Sequence, residues 1–178
     1  MSNAKVIVIS TTNNKDSLTA QVSDYYAGLL QKRGCDNQVL KLTRLPADFT
    51  VTALYENNGK NPEFNRLRAI METAQKYVFI IPEYNGSFPG VFKAFIDGLQ
   101  FPNTFRDKKC AMVGMSKGPQ GGAFAMSHLT DIFHYLKMHV YPLKPRISGI
   151  QDSQLATILA NGRYVQMLEE QAEGIINY

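Results

Sequence analysis

Three short runs of consecutive apolar residues constrain this chain more than any other feature: Lys5–Ser10 (KVIVIS), Tyr77–Ile81 (YVFII) and Ala111–Met115 (AMVGM). Runs this short, rich in β-branched residues and without polar alternation, read as strands covered on both faces. Between them the apolar spacing becomes helical. From Ser17 to Arg33, Leu18, Val22, Tyr25, Tyr26, Leu29 and Leu30 share one face, and Gly34 stops the helix. Pro62 begins a second helical stretch with Phe64, Leu67, Ile70, Met71 and Ala74. Pro89 opens a third, carrying Val91, Phe92, Phe95, Ile96 and Leu99. Ala125, Leu129, Ile132, Phe133 and Leu136 mark a fourth, and Ser153 to about Glu173 a last one. Gln38–Leu42 and Met138–Tyr141 supply two more strands, while Thr43 to Asn61 reads as a long polar connection.

Strand and helix in alternation predict a parallel sheet with helices on both faces. Five strands favour a flavodoxin-like α/β three-layer sandwich of order 2-1-3-4-5, and 178 residues suit one such domain, 1–178. In such sheets ligands bind beyond the carboxyl ends of the strands, where strand order reverses. The loops after strands one, three and four are therefore where chemistry is expected.

Composition narrows the classes. Hydrophobic residues make up 44% and charged residues 19%, which is neither a disordered nor a membrane composition. The N-terminus runs directly into a strand pattern without the long apolar stretch of a signal peptide, so a cytoplasmic protein without a membrane partner is expected. Cys35 and Cys110 lie far apart, and His128, His134 and His139 lack helical metal-pair spacing, so no metal site is expected. The net charge of +4 suits anionic small ligands. No basic stripe is interleaved with aromatics, as nucleic-acid binding requires, and Lys108–Lys109 reads as a solvated pair.

The first loop, Ser10 to Ser17, is a run of short polar residues entering a helix. A phosphate there would meet backbone N–H groups, hydroxyls and the positive end of a helix dipole. An ordinary capped turn, with Ser17 or Asp16 as N-cap, is the alternative. Neither GxxxxGK[ST] nor GxGxxG is present. The loop after strand three, Pro82-Glu83-Tyr84-Asn85-Gly86-Ser87, turns at Asn85-Gly86, where glycine lets backbone approach a flat ligand and Tyr84 can cover a ring. The alternative is a strand-to-helix turn rich in turn formers. Ser116 to Gly122 is a third, glycine-bearing loop.

PEYNGSFPGVFKAFIDGL, residues 82–99, resembles the PEYN-x-S-x-PG-x-LKNAIDWL signature of the NADPH-dependent FMN reductase family, whose relatives include azo, quinone and chromate reductases. Thr11 to Thr19 is similar to that family's opening GTNRxxSxT loop, and Ser116 to Gly122 to its S-x-G-x-x-GG loop. The resemblance spans about residues 4–145 and implies the flavodoxin-like fold and a bound FMN. It places Thr11, Thr12, Asn14, Ser17, Leu18 and Thr19 about the phosphate. Pro82, Glu83, Tyr84, Asn85, Gly86 and Ser87 would meet the ring, and Ser116, Gly118, Gly121 and Gly122 its other edge. Among the departures from the signature, Thr11 stands for glycine, Asn14 for arginine, Ala94 for asparagine and Gly98 for tryptophan, and Ala123-Phe124 follows the paired glycines where the family often has an arginine.

The implied activity is an FMN-dependent NAD(P)H oxidoreductase that carries hydride from NADPH or NADH to a small acceptor: flavin, quinone, azo compound or metal ion. The cofactor performs the chemistry, so no catalytic side chain is named. A flavodoxin-type electron carrier and a binding module with a decayed cofactor site are the alternatives; a sequence pI near 9.0 opposes the carrier. The aromatic helices after Pro89 and Gly122 are expected to join subunits of a homodimer or homotetramer.

Overall fold

The destinations of alternate side chains explain the apolar runs. In the computed structural model, which describes residues 5–150 and 154–178, β1 (Val6–Ser10), β3 (Lys76–Pro82) and β4 (Lys109–Met115) form the centre of a parallel sheet. Its order is β2-β1-β3-β4-β5, with β2 (Asn37–Lys41) at one edge, as the flavodoxin-like fold requires. Successive side chains in a strand point to opposite faces. Ile7, Ile9, Tyr77, Phe79, Ile81 and Met112 enter one core, against α3 (Pro62–Thr73), α4 (Gly90–Asp97) and α5 (Ala123–Tyr135). Val6, Val8, Val78, Ile80, Ala111 and Val113 enter the other, against α1 (Leu18–Lys32) and α7 (Gly162–Asn177). Both faces are dry, so no polar alternation survives in the sequence.

The connection after β2 is more ordered than its polar composition predicts. It contains a single helical turn at Leu42–Arg44, the short α2 (Phe49–Thr52) and another turn at Tyr55–Asn57. Two apolar anchors explain this. Phe49 is buried and stacks on Phe64 with ring centroids 5.8 Å apart, and Leu54 is buried beside them. These groups also account for Gly98, because a Cβ there would lie 2.4 Å from the Phe64 ring and 2.9 Å from Leu54. The connection fills the space a side chain at Gly98 would need.

The fifth strand is split. β5 (His139–Val140) pairs with Lys109 and Cys110 of β4, and β6 (Arg146–Ile147) pairs with Gly114 and Met115 on the same edge. Pro142 and Pro145 lie between them and have no N–H to give the ladder. A side chain fills the gap: Gln171 of α7, fully buried, donates from Nε2 to the carbonyls of Met112 (2.9 Å) and Leu143 (2.6 Å). The last helix is also divided, into α6 (Leu155–Leu159) and α7, because the Asn161 side chain accepts the N–H groups of Arg163 and Tyr164 and starts a new helix. Ser153, the expected start of that helix, falls outside the described residues.

Candidate functional site

Because β1, β3 and β4 run parallel in register, their carboxyl ends bring the three expected loops together. A crevice of about 200 Å³ lies there, lined by Asn14, Ser17, Leu18 and Thr19 from the first loop, Pro82, Glu83 and Tyr84 from the second, and Ser116 from the third.

The first loop is both braced and unsatisfied. Thr11 is buried, and its N–H and hydroxyl both donate to the Ile80 carbonyl, at 3.2 and 2.9 Å, so it ties β1 to β3. The Thr12 hydroxyl accepts the Asn14 N–H at 3.2 Å and shares a 3.0 Å hydrogen bond with the Tyr84 hydroxyl across the crevice. Ser17 is the N-cap of α1, accepting the Ala20 N–H at 3.2 Å. The backbone N–H groups of Lys15, Asp16, Ser17, Leu18 and Thr19 have no acceptor among the described residues. They sit at the positive end of a 15-residue helix, the arrangement that attracts phosphate.

In the second loop, Tyr84 and Ser87 exchange backbone hydrogen bonds of 2.8 and 3.1 Å around Asn85 and Gly86, whose φ values are +52° and +74°. This is the tight two-residue turn that Asn-Gly prefers. It leaves the Asn85 and Gly86 N–H groups exposed and unbonded among the described residues. The Ser87 hydroxyl hydrogen-bonds His128 Nδ1 of α5 at 2.9 Å. Glu83 pairs through its N–H with the Met115 carbonyl at 2.8 Å, while its Oε2 is buried without a partner in the crevice wall. Buried polar atoms are ordinarily bonded, so this oxygen marks a place where a donor is missing.

In the third loop, the Ser116 hydroxyl donates to the Gly118 carbonyl at 2.8 Å. Gly121 and Gly122 do not line the crevice. A Cβ on Gly122 would lie 2.7 Å from the Gly114 Cα, and one on Gly121 would lie 2.8 Å from the Arg146 Cβ. Both have positive φ, +59° and +80°. They let the start of α5 lie directly on β4 and hold the loop from beneath.

Thr11, Thr12, Asn85, Gly86, Ser87 and Gly118 do not line the crevice, although Thr12 and Ser87 bond to Tyr84 and Gly118 to Ser116, which do. Two lining residues, Met115 and Ile150, lie outside the expected loops, while Asp16 and Lys117 lie within them without an assigned role of their own. Lys117 matters most, because it brings a cation to the crevice from the third loop, whereas Lys15 is exposed and off the lining. Only its place between a strand end and a glycine pair could have signalled this.

A wider hollow of about 510 Å³ lies between α4 and α5, lined by Ile96, Leu99, Phe105, Ile132 and Leu136 and rimmed by Phe101 and Tyr135. It contains none of the expected site residues. Phe101 and Tyr135 stack with centroids 6.1 Å apart while 65% and 75% exposed.

Residues 4–148 match the family described as NADPH-dependent FMN reductase. An NAD(P)H-dependent FMN reductase of Pseudomonas aeruginosa is 34% identical over 137 residues, 73% of this chain and 70% of that protein. An NAD(P)H:quinone oxidoreductase of Solanum tuberosum is 36% identical over 95 residues, 53% of this chain and 48% of its own length. Among solved structures, the apo form of an NADH:FMN oxidoreductase superposes with a TM-score of 0.80 at 17% identity, covering 97% of this chain and 88% of that one. The NAD(P)H:(acceptor) oxidoreductase FerB from Paracoccus denitrificans gives 0.76 at 21% identity, covering 98% and 96%.

Proposed function

The chain belongs to the NADPH-dependent FMN reductase family, and from that membership we infer that it is an FMN-dependent NAD(P)H oxidoreductase delivering hydride to a small acceptor such as a flavin, quinone or azo compound. One observation carries the reading: at the switch of strand order, unbonded N–H groups at the start of α1 and an orphaned carboxylate oxygen on Glu83 border one crevice. The donor set fits a phosphorylated flat heterocycle. Thr12, Asn14, Ser17, Leu18 and Thr19 would hold the phosphate, with Thr11 bracing the loop. Pro82 to Ser87 would hold the ring, and Ser116, Lys117 and Gly118 its far edge, above the packing of Gly121 and Gly122.

Bound FMN supplies the redox chemistry, accepting hydride and giving it up. The chain's part is placement. Glu83 presents an acceptor for a ring N–H, and the exposed Asn85 and Gly86 N–H groups present donors for ring carbonyls. Tyr84, 43% exposed and tied to Thr12, shields the join between ring and phosphate sites. No side chain is assigned a proton to move.

Two further features complete the proposal. The exposed aromatic rim between α4 and α5 is read as the contact of a homodimer, which would cover Phe101 and Tyr135. The two free, buried cysteines suit a reducing compartment, the cytoplasm, and no helix among the described residues is long and apolar enough to cross a membrane. The test is rapid mixing of the FMN-loaded protein with NADPH and NADH without oxygen. Loss of the flavin's visible absorbance with either nucleotide, restored by added quinone, is expected; flavin that neither nucleotide bleaches contradicts the assignment.

A further inference from the structure

The turn from Tyr84 to Ser87 stands clear of the packed core. Its backbone hydrogen bonds among the described residues are two, and both close the turn on itself, between Tyr84 and Ser87. A Cβ built on Gly86 would meet no atom within 4 Å, so nothing packs against the tip. Yet the Asn85 and Gly86 N–H groups are useful donors only if that tip keeps its place, because a loose donor must be ordered at the moment of binding. Side chains supply the hold. At the near end the Tyr84 hydroxyl meets Thr12 at 3.0 Å, and at the far end the Ser87 hydroxyl meets His128 Nδ1 at 2.9 Å.

The two ties differ in what they hold to. Tyr84 is joined to another loop, whereas His128 stands on α5, whose inner side, Ala125, Leu129 and Phe133, is buried. Phe133 stacks on Phe79 of β3 with ring centroids 4.7 Å apart, and β3 is the strand that leads into the turn. Strand, turn and helix therefore form a closed circuit of contacts, and the bond between Ser87 and His128 completes it. His128 is exposed, and of the three histidines it alone bonds through its ring among the described residues. A serine hydroxyl donates to a neutral Nδ1 and accepts from a protonated one, so the link survives either state of the imidazole.

We propose that His128 is a positioning residue: by holding Ser87 it fixes the turn and keeps the Asn85 and Gly86 N–H groups in place for the ring carbonyls of the flavin. This rests on the reading of the crevice as the flavin site and deepens it. One exposed hydrogen bond contributes modestly, so the expected effect is a change of about three- to tenfold in affinity.

The test uses H128A, H128N, S87A and the double variant S87A/H128A. Asparagine carries its amide close to the place of the imidazole Nδ1 and restores the link, while alanine at an exposed helix position leaves folding intact. Titration of flavin-free protein with FMN, followed by flavin fluorescence, should show affinity about three- to tenfold weaker in H128A and within about twofold of wild type in H128N. In the S87A background H128A should add nothing, because the partner is already gone. Nitrogen-15 relaxation of the flavin-free protein supplies a readout that needs no flavin: order parameters of the Asn85 and Gly86 amides should fall in H128A and return in H128N. The Tm of each His128 variant should stay within about 2 °C of wild type. Full FMN affinity in H128A, an equal loss from H128A with and without Ser87, no recovery in H128N, or unchanged order parameters in H128A overturns the proposal. Wild type that binds no FMN refutes the flavin reading instead, and the relaxation data then still decide whether His128 holds the turn.

Discussion

The crevice at the strand ends and the hollow between α4 and α5 are both concave, yet they are built in opposite ways. The crevice is small, about 200 Å³ against about 510 Å³, and it is bordered by backbone N–H groups without acceptors and by a buried carboxylate oxygen without a donor. The hollow is walled by Ile96, Leu99, Phe105, Ile132 and Leu136, and two of its rim charges, Lys93 and Asp97, pair with each other at 2.7 Å. Unbonded polar groups at fixed positions recognise a small ligand, while bare apolar area with exposed aromatics is what a second protein surface covers. Volume alone would direct attention to the wrong place.

The comparison can be broken most severely at the support both regions share. Gly122→Ala places a Cβ 2.7 Å from the Gly114 backbone at a positive φ, so a loss of roughly 3 kcal/mol is expected, or about 6–12 °C in Tm by thermal melt. FMN binding and self-association should suffer together. A charge in the hollow separates the two: Tyr135→Asp should weaken the proposed homodimer at least about 100-fold by analytical ultracentrifugation, yet leave FMN affinity unchanged. Loss of FMN in that variant would mean that the crevice depends on the second subunit. Ser17→Ala is the reverse case and the smallest. It removes the N-cap of α1, costs about 1 kcal/mol of stability, and should weaken FMN about tenfold by fluorescence titration without altering the oligomer.

The same contrast explains what the sequence could disclose. β1, β3 and β4 were legible because burial on both faces leaves uninterrupted apolar runs, and Asn85-Gly86 was legible because only a few residue pairs accept two positive φ values. The split of the fifth strand had a local signal in Pro142 and Pro145, but its repair by Gln171 did not, since that contact depends on α7 crossing β4. Phe49 and Leu54 are too few to make a periodic pattern, so the connection they anchor read as loop. Thr11 was grouped with the phosphate ligands, yet its donors serve Ile80, a partner 69 residues away. The arrival of Lys117 at the crevice likewise depends on which strand ends lie side by side.

In the proposed function, the first loop and the start of α1 grip a phosphate at the end of a flat ring. This grip is tested most directly by titrating the flavin-free protein with FMN and with riboflavin, which share the ring and differ in the phosphate. FMN is expected to bind one per chain and at least about 100-fold more tightly. Equal affinity for the two, or no binding of FMN in excess, would contradict it.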